Sequence, residues 1–597
     1  MVEFLRTTGR LTAAVSLAAS LLLGSMPVSL AGPGDTNSTN VGANVANGTF
    51  FNTAGDKTTF TNNGGNITVG AGTTVRGLEV NSAGNLTGNG GHLHFDAQGG
   101  VMRVDGTINA SAAMGSNGAY LGNGGKVTID AGALVQNGNI FANGLNGGII
   151  TVNVGQLTVG PNARFEALTT GAYALPGQIN LNATGEVTIP NGAVLDASGN
   201  YIGGYNANVI QISGSVVNLD GVVIANGLSA GAKGGNIGIY GSEIAVKSNA
   251  KIMANGANTG DGGMVEVIST DKTTVESGAE ITANGGKGLS GVVAGNGGIV
   301  GVGSAKTLRN DGVISANGGN GHNGYNPSNG GEGGLVVFAG DTVEHNGQLA
   351  ANGGHGGTNA FPSRGTVVNG QQVSVGQNGA NGGNGGAVLV AHRTSISGTG
   401  SIEAKGGNGG NGQEAIADAN HAHQTARGGN GGDAGFGGLV RFHGDPGQTI
   451  INNVNVNGGS GGQGGYASVA SDCGCATPGA GGACGAPGQI EIVAKPPCSG
   501  GADCSPTPPQ QIPGNPTTPI SPLFPLYPKE YGNLGDTLPP NAGNVLSYTR
   551  SIFLARSPVP IIRKKVVVPP PQPPAKIMVV QPQPKPVQKK VPVRGYW

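Results

Sequence analysis

Gly262-Gly263-Met264-Val265-Glu266-Val267, then Thr274-Val275, then Ala279-Glu280-Ile281-Thr282-Ala283-Asn284-Gly285-Gly286, is the clearest copy of a unit that recurs from about Gly65 to Ile492. Apolar residues at alternate positions send one row of side chains inward and leave the other row outward, which is the pattern of a half-buried strand. The opening element returns as Gly125-Lys126-Val127-Thr128-Ile129, Gly177-Gln178-Ile179-Asn180-Leu181 and Gly438-Leu439-Val440-Arg441-Phe442. The closing element returns as Ile252-Met253-Ala254-Asn255-Gly256 and Ile314-Ser315-Ala316-Asn317-Gly318. Its alanines, Ala197, Ala225, Ala254, Ala283, Ala316 and Ala351, lie 28, 29, 29, 33 and 35 residues apart. A unit of this size cannot bury its apolar face alone, so copies stack. The expectation is an all-β fold, a parallel β-helix with three strands and three turns per coil and rungs about 4.8 Å apart.

Between strands, the Asn-Gly pairs suit turns because both residues tolerate positive φ. Asn226, Asn255, Asn284, Asn317 and Asn352 fall at one corner, where a ladder of hydrogen bonds from rung to rung is expected. The Gly-Asn-Gly-Gly stretches after the last strand vary in length and read as Gly/Asn-rich loops on one side. The longest, Gly406 to Gly438, carries His421, His423 and Arg427.

The chain divides into four parts. Residues 1–31 read as a Sec signal peptide: Arg6 and Arg10, an apolar run from Leu11 to Leu23, and small residues at Ser29-Leu30-Ala31. Residues 32–64 form a leader or cap, 65–495 the repeat domain, and 496–597 a proline-rich basic tail. All 24 prolines of the tail, from a total of 34, follow Lys495, so strand pairing stops there. Arg550 to Trp597 holds ten Lys or Arg and no acid, which leaves the rest of the chain at 21 basic against 31 acidic residues. Tail prolines favour an extended, disordered spacer, either a basic tether to an anionic envelope polymer or a plain linker. The acidic solenoid repels phosphate, so no nucleic-acid partner is expected.

With only 10% charged residues, no catalytic constellation, cofactor motif or metal set stands out. Cys473, Cys475, Cys484, Cys498 and Cys504 cluster at the end of the repeats; in an exported chain they are disulfide candidates rather than zinc ligands, because Cys473-Gly474-Cys475 lacks Cys-x-x-Cys spacing. Five is odd, which leaves one thiol free or paired between chains. His92, His94 and Asp96 alternate along one strand and share its outer face. Gly428-Gly429-Asn430-Gly431-Gly432-Asp433 is similar to the calcium nonapeptide of repeat toxins, with Gly435 in place of the large apolar residue. A carbohydrate-active enzyme is the rival reading; it needs paired acids, and among the scattered Glu243, Glu266, Glu276, Glu280, Asp341 and Glu344 the two expected to face one groove are Glu266 and Glu280.

The unit Gly-Gly-x-Val-x-Val, Thr-Val-x-x-Gly-Ala-x-Ile-x-Ala-Asn-Gly resembles the repeats of filamentous-haemagglutinin-type large exoproteins, over about Gly65 to Ile492. That resemblance implies a right-handed parallel β-helix, secretion through a partner outer-membrane pore, and a surface or extracellular role in adhesion or aggregation. The partners it implies are cell-surface glycans, an envelope polymer or further copies of the chain.

Overall fold

The computed structural model describes residues 37–494 apart from 41–43, 54, 63–64, 173, 201–208, 369–370, 418–422, 445–452 and 471–474. The expected signal peptide at residues 1–31, the expected tail at residues 496–597, His421, Cys473, Cys498 and Cys504 lie outside the described residues. Among those described, every regular element is a strand. A nineteen-stranded sheet and a fourteen-stranded sheet run the length of the repeats, and nearly all their pairings are parallel. The chain forms a solenoid of stacked coils.

Stacking like on like sets the core. Across the larger sheet Val127 pairs with Ile150, Ile150 with Ile179, Ile179 with Ile210, Ile210 with Ile237 and Ile237 with Val265. In the smaller sheet Ile252, Ile281, Ile314 and Leu349 form a matching column. All of these are 0–1% exposed, and so are the six repeat alanines. Fully burying one such Ile or Val is worth about 1.5–3 kcal/mol, and the columns repeat that gain at every coil.

Two features differ from the sequence expectation. In seven coils the opening and middle strands are one strand of eleven or twelve residues, as in Lys126–Gln136, Val209–Leu219 and Met264–Val275. In the earlier coils a glycine column lines the bend, where Gly132, Gly155, Gly185 and Gly214 each sit so that a Cβ would press against the carbonyl of the glycine one coil earlier; Met264–Val275 passes the same bend with Ser269-Thr270-Asp271 in place of glycine. Coiling also starts before Gly65. Strand Gly48–Thr53 pairs with Thr74–Val80, and Thr58–Thr61 with His92–Asp96. Phe50, Phe60 and Phe95 fill those first coils, with ring centroids 4.9 and 4.6 Å apart, so the aliphatic pattern is absent there although the fold is the same.

Candidate functional site: the glycine-rich arm

The Gly/Asn-rich stretches, which hold neither helix nor strand over 405–414 and 428–437, form a hydrogen-bonded arm. In the coil from Lys405, three successive residues send their backbone donors three ways. Gly406, Gly409 and Gly412 donate to the next coil, at Asn457, Ser460 and Gln463 (2.8–2.9 Å). Gly407, Gly410 and Gln413 donate to the returning stretch of the coil before, at Gly383, Ala380 and Gln377 (2.8–2.9 Å). The third residues, Lys405, Asn408 and Asn411, donate to side chains of the coil before: Asn352 Oδ1 (2.8 Å), His355 Nδ1 (2.9 Å) and Thr358 Oγ1 (3.2 Å).

The returning stretch repeats this scheme. Gly428 and Gly431 reach the next coil, and Gly429, Gly432 and Gly435 reach the facing stretch. Asn430, Asp433 and Phe436 each donate to an asparagine oxygen at 2.9 Å. A three-residue period of donor direction is that of an extended threefold helix of the polyproline II kind, which has no internal hydrogen bonds and so leaves every donor for its neighbours. The outgoing and returning stretches of successive coils thus form two hydrogen-bonded layers.

Glycine is demanded here by contact, not by φ. None of the described glycines after Gly398 has a positive φ. The same holds for Gly285, Gly318 and Gly353 of the Asn-Gly pairs, contrary to the turn argument. At each, a Cβ would drive into a carbonyl oxygen of the facing stretch: Gly295, Gly331 and Gly383 respectively. The asparagine ladder forms as expected, through the backbone: Asn255, Asn284 and Asn317 donate to Asn226, Asn255 and Asn284 Oδ1 at 2.7 Å, and Asn352 to Asn317 Oδ1 at 2.8 Å. Beyond the triplets the arm ends in small sheets, one from Ala415–Ala417 with Ala467–Val469 and one containing Gln371–Val375, His423–Arg427 and Cys475–Thr477. Ala415, Ala417 and Ala426 make a separate small core there.

The other residues singled out in the sequence fall as follows. His94 Nδ1 faces Lys57 Nζ at 3.1 Å and its Nε2 faces Asp130 Oδ2 at 2.8 Å. An ammonium only donates, so the ring proton sits on Nε2. The line continues outward along the sheet from Asp130 to Asn153 (2.8 Å), Asn182 (3.0 Å) and Ser213 (3.2 Å). His92 is held down to about 4 by burial, then by Lys126, His94 and Lys57. Asp96 Oδ1 accepts from the Gln98 backbone at 2.9 Å. Among the described residues no group of three His, Cys, Asp or Glu is placed to hold a metal ion. Asp433, in the calcium-like stretch, caps the Ala483 N–H at 2.8 Å.

Glu266 and Glu280 stand on different sheets, in Met264–Val275 and Glu280–Thr282. Glu266 accepts from the Tyr240 hydroxyl at 3.0 Å, and burial raises its carboxyl above the usual range. Glu280 faces Lys251 at 3.4 Å. Glu276 caps Ser248, Asp341 lies 3.7 Å from Arg393, Glu344 lies 3.6 Å from Arg309, and Glu243 is exposed. Cys475 and Cys484 are exposed, and among the described residues both are free thiols. Sequence reasoning missed the arm, although Gly-Gly-x triplets at 406–411 and 428–433 carried its period. The chain matches no family model, no curated protein and no solved structure.

Proposed function

We propose that this is an exported protein, directed by residues 1–31, that acts at the cell surface or outside it in adhesion or aggregation, or as a structural surface component, with the glycine-rich arm as its presented face. The coils wind right-handed, and the likeness of the repeat to filamentous-haemagglutinin-type exoproteins belongs to the same reading. The observation that carries it is the two-layered arm. Its backbone donors are spent within the array, so what it offers a partner is the third residue of each triplet. Those residues stand in columns about 9 Å apart along the arm and about 4.8 Å apart from coil to coil. Asn320, His355, Asn408 and Ser460 form one such column, linked by backbone-to-side-chain bonds of 2.9 Å. A fixed lattice of short polar side chains, presented without the entropy loss of ordering a loop, suits a repetitive polar polymer.

The test is fractionation of producing cells combined with retention of the full chain on glycan-coated and cell surfaces. The reading expects the protein at the surface or in the medium, with retention blocked by an antibody fragment raised against residues 405–438. Protein confined to the cytoplasm, or retention indifferent to that fragment, contradicts it.

A further inference from the structure

The arm lengthens abruptly between two neighbouring coils. From Ala316 the chain has returned to the coil by Gly334, whereas from Ala351 it continues to the hairpin Thr366–Val368 and Gln371–Val375 before returning at Gly386. At this step Tyr325 stacks on Phe361, with centroids 4.9 Å apart and planes 17° from parallel. The rings stay 65% and 52% exposed, while Phe60, Phe95, Phe165 and Phe338 are fully buried. In a chain with 4% aromatic residues, two exposed rings held together mark a contact surface.

They border a cavity of about 510 Å³ that Arg364, Val375, Gln377 and Gln413 also line, inside the roughly 300–1,000 Å³ range of small-ligand sites. Gln413 fixes the platform: its Nε2 donates to the Phe361 carbonyl at 2.7 Å and its Oε1 accepts from the Gln377 backbone at 2.8 Å. The side chains of Arg364 and Gln377 face solvent.

We propose that this cavity is a glycan subsite that holds one pyranose unit against Tyr325 and Phe361. A pyranose is a disk with C–H groups on its faces and hydroxyls on its rim. The C–H face carries partial positive charge and complements the negative π face of an aromatic ring. The rim needs hydrogen-bond partners, which the exposed Gln377 amide supplies. An apolar ligand would strip water from that same amide and return nothing. The proposal rests on the surface reading above and narrows its partner to a chemical class and a place.

The test titrates the purified full chain with soluble neutral and uronate oligosaccharides of four to six residues, followed by calorimetry and saturation-transfer NMR. Binding to at least one of them is expected. Tyr325→Ala and Phe361→Ala weaken it about ten-fold or more, a loss of the size an aromatic platform supplies. Tyr325→Trp retains it. Leu86→Ala, which removes an exposed apolar side chain of the first coils, outside both the arm and the cavity, leaves it unchanged. Thermal melting confirms that the variants stay folded. Absence of binding to the whole panel, or full binding by both alanine variants, overturns the proposal. A surface-located chain that binds none of the panel keeps the surface reading and loses this one; a chain confined to the cytoplasm that still binds the oligosaccharides through both rings loses the surface reading alone.

Discussion

Asn255 Oδ1 accepts the backbone N–H of Asn284 at 2.7 Å, one coil further on, while the Asn255 N–H is itself accepted by Asn226 at 2.7 Å. Each asparagine of the corner therefore closes the donor of the next. Asn255→Ala leaves a half-buried N–H without its acceptor and costs about 1–3 kcal/mol. Asn255→Asp keeps an oxygen in place and costs less. Chemical denaturation of the three proteins side by side checks the order.

The inner columns set a larger scale. Ile281 is fully buried between Ile252 and Ile314, so Ile281→Ala costs about 2–5 kcal/mol. The neighbouring pair Lys251–Glu280, 3.4 Å apart and roughly half exposed, is worth at most about 1 kcal/mol. Lys251→Ala should melt within a few degrees of the parent, and Ile281→Ala well below it.

A methyl in the arm acts differently. Gly409→Ala sets a Cβ against the Gly432 carbonyl of the returning stretch, and overpacking of that kind costs about 1–3 kcal/mol. Because the arm and the coil interior open separately, limited proteolysis should cut 405–438 faster while the main thermal transition stays put. Asn408→Ala, which removes only the cap on Ser460, gives a smaller effect.

Acid should weaken the fold. Burial holds His92 down to about 4 and lowers His345 and His443 as well. The unfolded chain takes up these protons near pH 6.5 and the folded chain does not, so their stabilisation is full above that pH and fades as pH falls from about 6.5 toward 4. Glu266 runs the other way: its raised carboxyl favours the folded state in acid and loses that effect as pH rises. His92→Gln should flatten the decline of melting temperature with acidity, and Glu266→Gln should steepen it.

The coils were legible because alternation of Ile and Val over Gly-x-Val-x-Val names a strand, and a spacing near 29 residues names a stack. The asparagine corner followed from the same spacing. The Asn-Gly pairs were misread because glycine was credited with positive φ, as in a turn, when its use at Gly285, Gly318 and Gly353 is close approach to a facing carbonyl. Composition alone does not separate these two uses. The three-residue period does, as Asp433 illustrates: its position in Gly-Gly-x-Gly-Gly-Asp matched a calcium motif, yet its work is to cap Ala483. Tyr325 and Phe361 are 36 residues apart and meet only because their coils are neighbours, a relation hidden until the coil lengths are known.

Amide hydrogen exchange tests most directly whether the glycine-rich stretches form a bonded array. Peptides spanning 405–413 and 428–438 should exchange slowly, with Gly407, Gly410, Gly432 and Gly435 protected on the timescale of the strand Met264–Val275. Complete exchange of those peptides within seconds, while the strand stays protected, would contradict the arm described here.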